Sequence, residues 1–293
     1  MKSSTSMALL KEARPKQWLK NVLVFAAPGA AGMLDNGRPF AKALLIFISF
    51  CLASSGTYFW NDILDVEEDR NHPKKSKRPI AAGLITLPIA RVLGSMLLVL
   101  GVVLATAVRA QAGAVILGYV VLTLSYSSVW KHIAVVDLVA VASGFVLRAV
   151  AGATGVDVPM STWFLLCACF GALFIVTGKR YAELHEMGDK ATTTRSTLKV
   201  YTPNYLRLVL GMDLSATMLA YCLWAFETAA DSTASVPWYE ITIVPMGIAL
   251  LRYLLVIENG EGSAPEEVFL KDRILQAVGV VWAVLFAIAV YAN

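Results

Sequence analysis

The sequence predicts an all-α, polytopic membrane protein, on three observations. Of 293 residues, 57% are hydrophobic and 16% charged, with a mean hydropathy of +0.64; a soluble domain is nearer a quarter charged. Nine apolar segments recur along the chain, most of them close to the ~20 residues a helix needs to span a bilayer. Lysine and arginine collect on alternate loops, the signature of a fixed orientation. No strand-like alternation competes with the helices. The length suits one transmembrane domain, residues 1–293, with no separate soluble domain.

Residues 1–20 form a basic lead-in ending in RPKQWLKN, with Trp18 at the interface and Arg14, Lys16 and Lys20 toward the cytoplasm. Apolar segments follow at 21–35, 40–60, 86–107, 111–130, 133–154, 161–178, 205–229, 237–257 and 273–291. The first is short and interrupted by Pro28, Gly29 and Gly32. With the N-terminus inside, the outer loops carry only Arg38, Lys42 and Arg109, while the inner side takes all the others from Lys2 to Arg273 except Arg148, which lies within an apolar segment. That places the C-terminus outside a plasma membrane. It also puts two polar stretches, 61–83 and 179–204, on the cytoplasmic side. The four cysteines sit inside apolar segments as small hydrophobes, without metal-ligand spacing. The expected surroundings are membrane lipid and not nucleic acid; self-association is left open.

The first polar stretch, WNDILDVEEDRNHPKKSKRPIAAG, carries the chemistry. On a helix at 100° per residue, Asn61, Asp62, Asp65, Glu68 and Asp69 fall within about a third of the circumference, and Glu67 points away. Such a face repels itself unless a cation sits on it. Hard oxygen ligands at this spacing suit Mg²⁺, which takes one or two carboxylates and completes its shell with water and phosphate. The run Lys74, Lys75, Lys77, Arg78 then offers cations to the phosphate oxygens. A solvated helix end with a positive-inside anchor is the plainer reading.

A second centre, TGKRYAELHEMGDK, repeats the spacing: Lys179, Arg180, Glu183 and Glu186 lie 118 residues after Asn61, Asp62, Asp65 and Glu68. Here the pattern begins with two cations, which suits direct contact with an anion. His185 reads as a proton carrier or as a surface hydrogen-bonding group. At SYSSVWKH, Tyr126 and Lys131 offer donors to phosphate, with an interfacial aromatic belt as the other reading of Tyr126. Arg148 sits inside the fifth apolar segment, where a charge is costly. It reads equally as a phosphate contact or as the partner of an internal acid, Asp137 or Asp213.

NDILDVEED followed by RPIAAG resembles the first aspartate-rich motif of the UbiA-type intramembrane prenyltransferase superfamily, and the likeness covers nearly the whole chain. It implies nine helices around a central cavity opening to the cytoplasm, cytoplasmic cap segments, and Mg²⁺-dependent cleavage of a diphosphate. The second motif departs: a second aspartate pair is replaced by GKRYAELHEMGD. RPKQWLKN, SYSSVWK, LRAVAGA, TGKRYAEL and PEEVFLKDR resemble the phosphoribosyl-transferring branch that serves arabinan synthesis for the cell wall. The resemblance implies 5-phosphoribosyl 1-diphosphate as donor, a polyprenyl (decaprenyl) monophosphate as acceptor, and release of diphosphate. Asn61, Asp62, Asp65 and Asp69 would then hold Mg²⁺, with Asp62, Asp65 and Asp69 as the catalytic carboxylates. Lys20, Lys77, Arg78, Tyr126 and Lys131 would bind the donor's phosphates. Lys179, Arg180 and Arg148 would hold the acceptor phosphate or the donor 5-phosphate, with Glu183 and His185 beside them. The alternatives are a prenyltransferase using prenyl diphosphate and an aromatic acceptor, and a transporter. The latter predicts mid-membrane charges and inverted repeats. Here the charges gather at helix ends.

Overall fold

The computed structural model describes residues 2–73, 75–187, 196–260, 262 and 264–291. Lys74 of the basic run and residues 188–195 of the second polar stretch lie outside them. Every regular element among the described residues is helical. In order they are α1 (Lys2–Glu12), a 3-10 strap (Pro15–Phe25), α2 (Ala26–Ala30), α3 (Gly37–Leu64), α4 (Val66–Arg70), α5 (Leu87–Val108), α6 (Ala110–Ser128), α7 (Val136–Val156), α8 (Thr162–Met187), α9 (Pro203–Ala230), α10 (Trp238–Ile241), α11 (Ile243–Glu258), α12 (Pro265–Lys271) and α13 (Arg273–Tyr291), with short 3-10 turns at Lys75–Lys77, Trp130–His132 and Ser196–Lys199. Eight stretches among the described residues are long and apolar enough to cross a membrane: α3, α5 to α9, α10 with α11, and α13. The chain is a multi-pass membrane protein.

The first expected helix, 21–35, takes another form. Pro28 and the left-handed Gly32 (φ 65°) end regular structure early. What precedes them is the 3-10 strap, laid antiparallel along α3. Trp18 Nε1 donates to Ser55 Oγ at 3.1 Å, and Ser55 Oγ donates to the Ala13 carbonyl at 2.9 Å. Asn21 Nδ2 reaches Cys51 Sγ (3.3 Å) and Ser54 Oγ (3.4 Å). Phe25 stacks on Phe40, near the start of α3. From Phe40 to Ser55 is about 22 Å of helix at 1.5 Å per residue. The strap therefore follows α3 over about half its length, toward the end that carries Asp62.

The chain forms two compact units, residues 1–131 with 147–159, and residues 132–146 with 160–293. In the first, α3 and α5 approach so closely that a Cβ on Gly56 would lie 2.8 Å from the Gly94 carbonyl oxygen, and one on Gly101 2.8 Å from that of Ser49. Small residues are what allow transmembrane backbones this close. Val24, Ile46, Phe50, Ile116, Tyr119 and Ala151 fill the core beside them. In the second unit, α8, α9 and α11 enclose Phe174, Tyr181, Leu206, Leu210, Tyr253 and Ile257. Two of its helix starts are capped: Thr202 Oγ1 accepts from Tyr205 N (3.1 Å), and Asp272 Oδ1 from Leu275 N (2.8 Å). Hydrogen bonds from Arg252 and the Leu275 amide hold the Asp272 carboxyl below the usual carboxylate range.

Candidate active site

The acidic stretch is not one continuous helix face. α3 stops at Leu64, Asp65 takes φ −93°, ψ 8°, and α4 restarts at Val66. The break changes which carboxylates meet. Asp62 (1% exposed) and Asp69 (0%) turn inward, while Glu67 and Glu68 are left at the surface. Arg78 Nη1 bridges the two buried carboxylates, donating to Asp62 Oδ1 at 2.9 Å and Asp69 Oδ2 at 2.6 Å. Asp65 is drawn aside by Lys131, whose Nζ donates to Oδ1 at 2.7 Å. Asn61 Nδ2 lies 3.4 Å from Asp62 Oδ1.

Three further groups join the cluster, and two of them, Arg14 and Glu12, are not revealed by spacing. Arg14, from the end of the lead-in, places Nη2 2.7 and 2.6 Å from the two Asp62 oxygens. Lys75 Nζ stands 3.6 Å from Asp69 Oδ1. Glu12, 1% exposed, lies against Asp62. Burial first, then the neighbouring Asp62, push its carboxyl up to about 8. Both Glu12 and Arg14 sit in a basic lead-in that reads as a membrane anchor. The 48 residues between Arg14 and Asp62 leave no periodic signal. Of the expected phosphate-binding residues, Arg78 and Lys131 stand in the cluster. Lys77 is exposed, Lys20 is half-buried on the strap and Tyr126 half-buried on α6.

A divalent cation fits this site. One nitrogen already sits between Asp62 and Asp69 at 2.9 and 2.6 Å, standing in for a bridging cation. The buried Asp69 Oδ1 has no hydrogen-bond partner. Two carboxylates match the appetite of Mg²⁺, which fills its remaining positions with water and phosphate oxygen. No three acidic, histidine or cysteine side chains converge at ligand geometry among the described residues, in keeping with Asp65 being held by Lys131.

The second unit holds a cluster of its own. Arg180 (2% exposed) donates through Nε to Asp137 (0%) at 3.1 Å and through Nη1 to Glu183 at 2.9 Å. Tyr201 donates to Asp137 Oδ1 at 2.5 Å and accepts from the Val135 amide at 2.6 Å. Burial and Asp137 push the Tyr201 hydroxyl well above its usual range. Lys179 is more open, with Nζ 3.8 Å from Glu183 Oε1. His185 lies against the Tyr181 ring at 4.5 Å. The two matched positions 62 and 180 are thus each buried and each ion-paired, with opposite sign.

Arg148 is buried against the strap. Its Nε donates to Asn21 Oδ1 at 2.8 Å, and its guanidinium lies 4.9 Å from the centre of the Tyr119 ring and 5.4 Å from that of Phe50. It anchors the strap to the second half of α7.

Comparison with known proteins agrees with this picture. The decaprenyl-phosphate phosphoribosyltransferase of Corynebacterium glutamicum is 44% identical over 97% of this chain and 86% of its own length. That of Mycolicibacterium smegmatis is 41% identical over 97% and 92%. The solved structure of a UbiA homolog from Archaeoglobus fulgidus bound to DMAPP and Mg²⁺ shares the fold, with a TM-score of 0.74 over 97% of this chain and 99% of that one, at 20% identity. The model of the UbiA prenyltransferase family matches residues 22–276, and the chain belongs to that family.

Proposed function

We propose that the protein transfers a 5-phosphoribosyl group from 5-phosphoribosyl 1-diphosphate to a polyprenyl monophosphate of decaprenyl type, releasing diphosphate. The observation that carries this is the buried Asp62–Asp69 pair ringed by Arg14, Arg78, Lys75 and Lys131. It belongs to a chain more than 40% identical, over nearly all its length, to two phosphoribosyltransferases of that name. Asp62 and Asp69 would hold Mg²⁺, with Asp65 and Asn61 beside them; when bound, the ion supplies charge neutralisation to the departing diphosphate. Arg78 and Lys131 would orient the diphosphate and stabilise the negative charge it gains.

The C1–oxygen bond to diphosphate breaks, and the diphosphate leaves with the electron pair. A phosphate oxygen of the acceptor forms the new C1–O bond. That oxygen is ionised at neutral pH, so no general base is needed. Lys179, a partly open cation beside Glu183, is assigned to one of the two remaining phosphates. Arg180 supports Glu183 and Asp137 there. The reading places the protein in the plasma membrane, with this chemistry on the cytoplasmic side, and the pathway as cell-wall arabinan synthesis.

The test is transfer itself. Detergent-solubilised protein given Mg²⁺, decaprenyl phosphate and radiolabelled phosphoribosyl diphosphate should yield organic-extractable label. Asp62→Ala should lower the rate by at least about 10²-fold, the scale of a lost transition-state charge contact. No extractable label from the parent, or prenylation of an aromatic acid from a prenyl diphosphate, overturns the assignment.

A further inference from the structure

Arg14 is the member of the cluster whose position calls for explanation. Its backbone is left-handed, at φ 51°, ψ 58°. That conformation brings the Cβ of any residue but glycine too close to the following carbonyl oxygen. The following Pro15 independently disfavours a right-handed helical conformation at this position. Downstream, the strap is pinned by Trp18 and Asn21; upstream lies α1. Arg14 is therefore a strained joint between two fixed segments. What holds it is its own side chain: both Asp62 oxygens at 2.7 and 2.6 Å, and the Tyr58 ring 4.7 Å from the guanidinium.

The same contact sets up a conflict. Asp62 Oδ1 already accepts from Arg78, so both oxygens of this carboxylate are occupied by guanidinium groups. A divalent cation ligated by Asp62 competes with both of them for the same carboxylate. Arg78 also holds Asp69 and lies across both carboxylates. Arg14 has only Asp62 as an ion-pair partner among the described residues, and it sits on the strained joint.

We propose that Arg14 is a donor-binding residue parked on Asp62: it yields the carboxylate to the divalent cation and turns its guanidinium onto the donor's diphosphate. This rests on Asp62 and Asp69 being the metal site. A guanidinium suits the second role because its fork of N–H groups matches phosphate oxygens in pairs. The exchange also keeps the charge balanced. The metal replaces the cation that leaves Asp62, and the displaced cation meets the negative charge that arrives with the donor.

The two roles predict opposite effects of one substitution, which a purely structural role does not. In the full-length protein, Mn²⁺ affinity without donor is read by electron paramagnetic resonance. Arg14→Gln removes the competitor, so Mn²⁺ alone should bind about tenfold tighter, while the KM for phosphoribosyl diphosphate and the Kd for inorganic diphosphate with Mn²⁺ should rise about tenfold, each a 1.4 kcal/mol effect. Arg14→Lys keeps a charge but loses the paired contact and should shift all three in the same directions by a smaller factor, which covers the case in which the Gln variant fails to fold. Unchanged or weaker Mn²⁺ binding, or unchanged diphosphate binding, in the folded variants overturns the proposal. Asp62→Asn and Asp69→Asn separate the two failures: if both retain parental Mn²⁺ affinity, the metal reading itself is wrong.

Discussion

Arg180 shows how a residue's type is legible while its role is not. The sequence marks it as a cation at the end of an apolar segment, suited to an anion. In the structure it is 2% exposed and spends its nitrogens on Asp137 and Glu183. A buried pair is a weak source of stability but costly to break from one side, on the order of 3–5 kcal/mol, because the survivor stays buried and charged. Asp137→Leu and Arg180→Met should each lower the unfolding midpoint in detergent strongly. The double variant should recover much of the loss, since an apolar pair of similar size is close to neutral. Additive losses in that cycle would show that the pair does not act as a unit. The same limit applies to Asp62: its acidity is in the motif, but Arg14 and Glu12 reach it through tertiary packing that no local pattern encodes.

At the scale of elements, eight of the nine expected apolar segments lie on described helices long and apolar enough to cross a membrane, because runs of about 20 apolar residues have few other solutions. Two features escaped that logic. Asp65 interrupts the acidic helix, so carboxylates expected on one face are sorted into a buried pair and one Lys131-bound outlier. The first segment is a 3-10 strap instead of an α-helix, held by Trp18, Asn21 and the buried Arg148. Its packing depends on Gly152 in α7, where an added Cβ would fall 1.8 Å from the Val24 carbonyl oxygen. That atom is backbone and has no rotamer to yield, so the strap itself must move. Gly152→Ala should destabilise the protein by about 1–3 kcal/mol, as overpacked cores do, seen as a lower thermal midpoint. It should also lower phosphoribosyl transfer although residue 152 touches none of the charged groups. A parental midpoint and rate would show that the strap has slack.

For the whole molecule, the sequence carries an orientation that the helices allow to be tested site by site. Successive spans reverse direction, so the acidic stretch before α5 and the loop between α9 and α10 should face opposite sides of the membrane. Lysine and arginine are dense around the first and absent from the second, where residues 231–237 read DSTASVP; positive charge is retained on the cytoplasmic side during insertion. Lys77 and Thr233 are both exposed, one in each place. In a background with Cys51, Cys167, Cys169 and Cys222 replaced by alanine, a membrane-impermeant maleimide should label Lys77→Cys only in inside-out vesicles and Thr233→Cys only in right-side-out ones. Labelling of Lys77→Cys from outside would reverse the orientation and move the proposed site away from the compartment that supplies a soluble, highly charged donor. Labelling of both from the same side would break the alternation of spans, and with it the parity on which the sidedness argument rests. The pair of labels therefore tests the direction of the chain and the site's access to its substrate together.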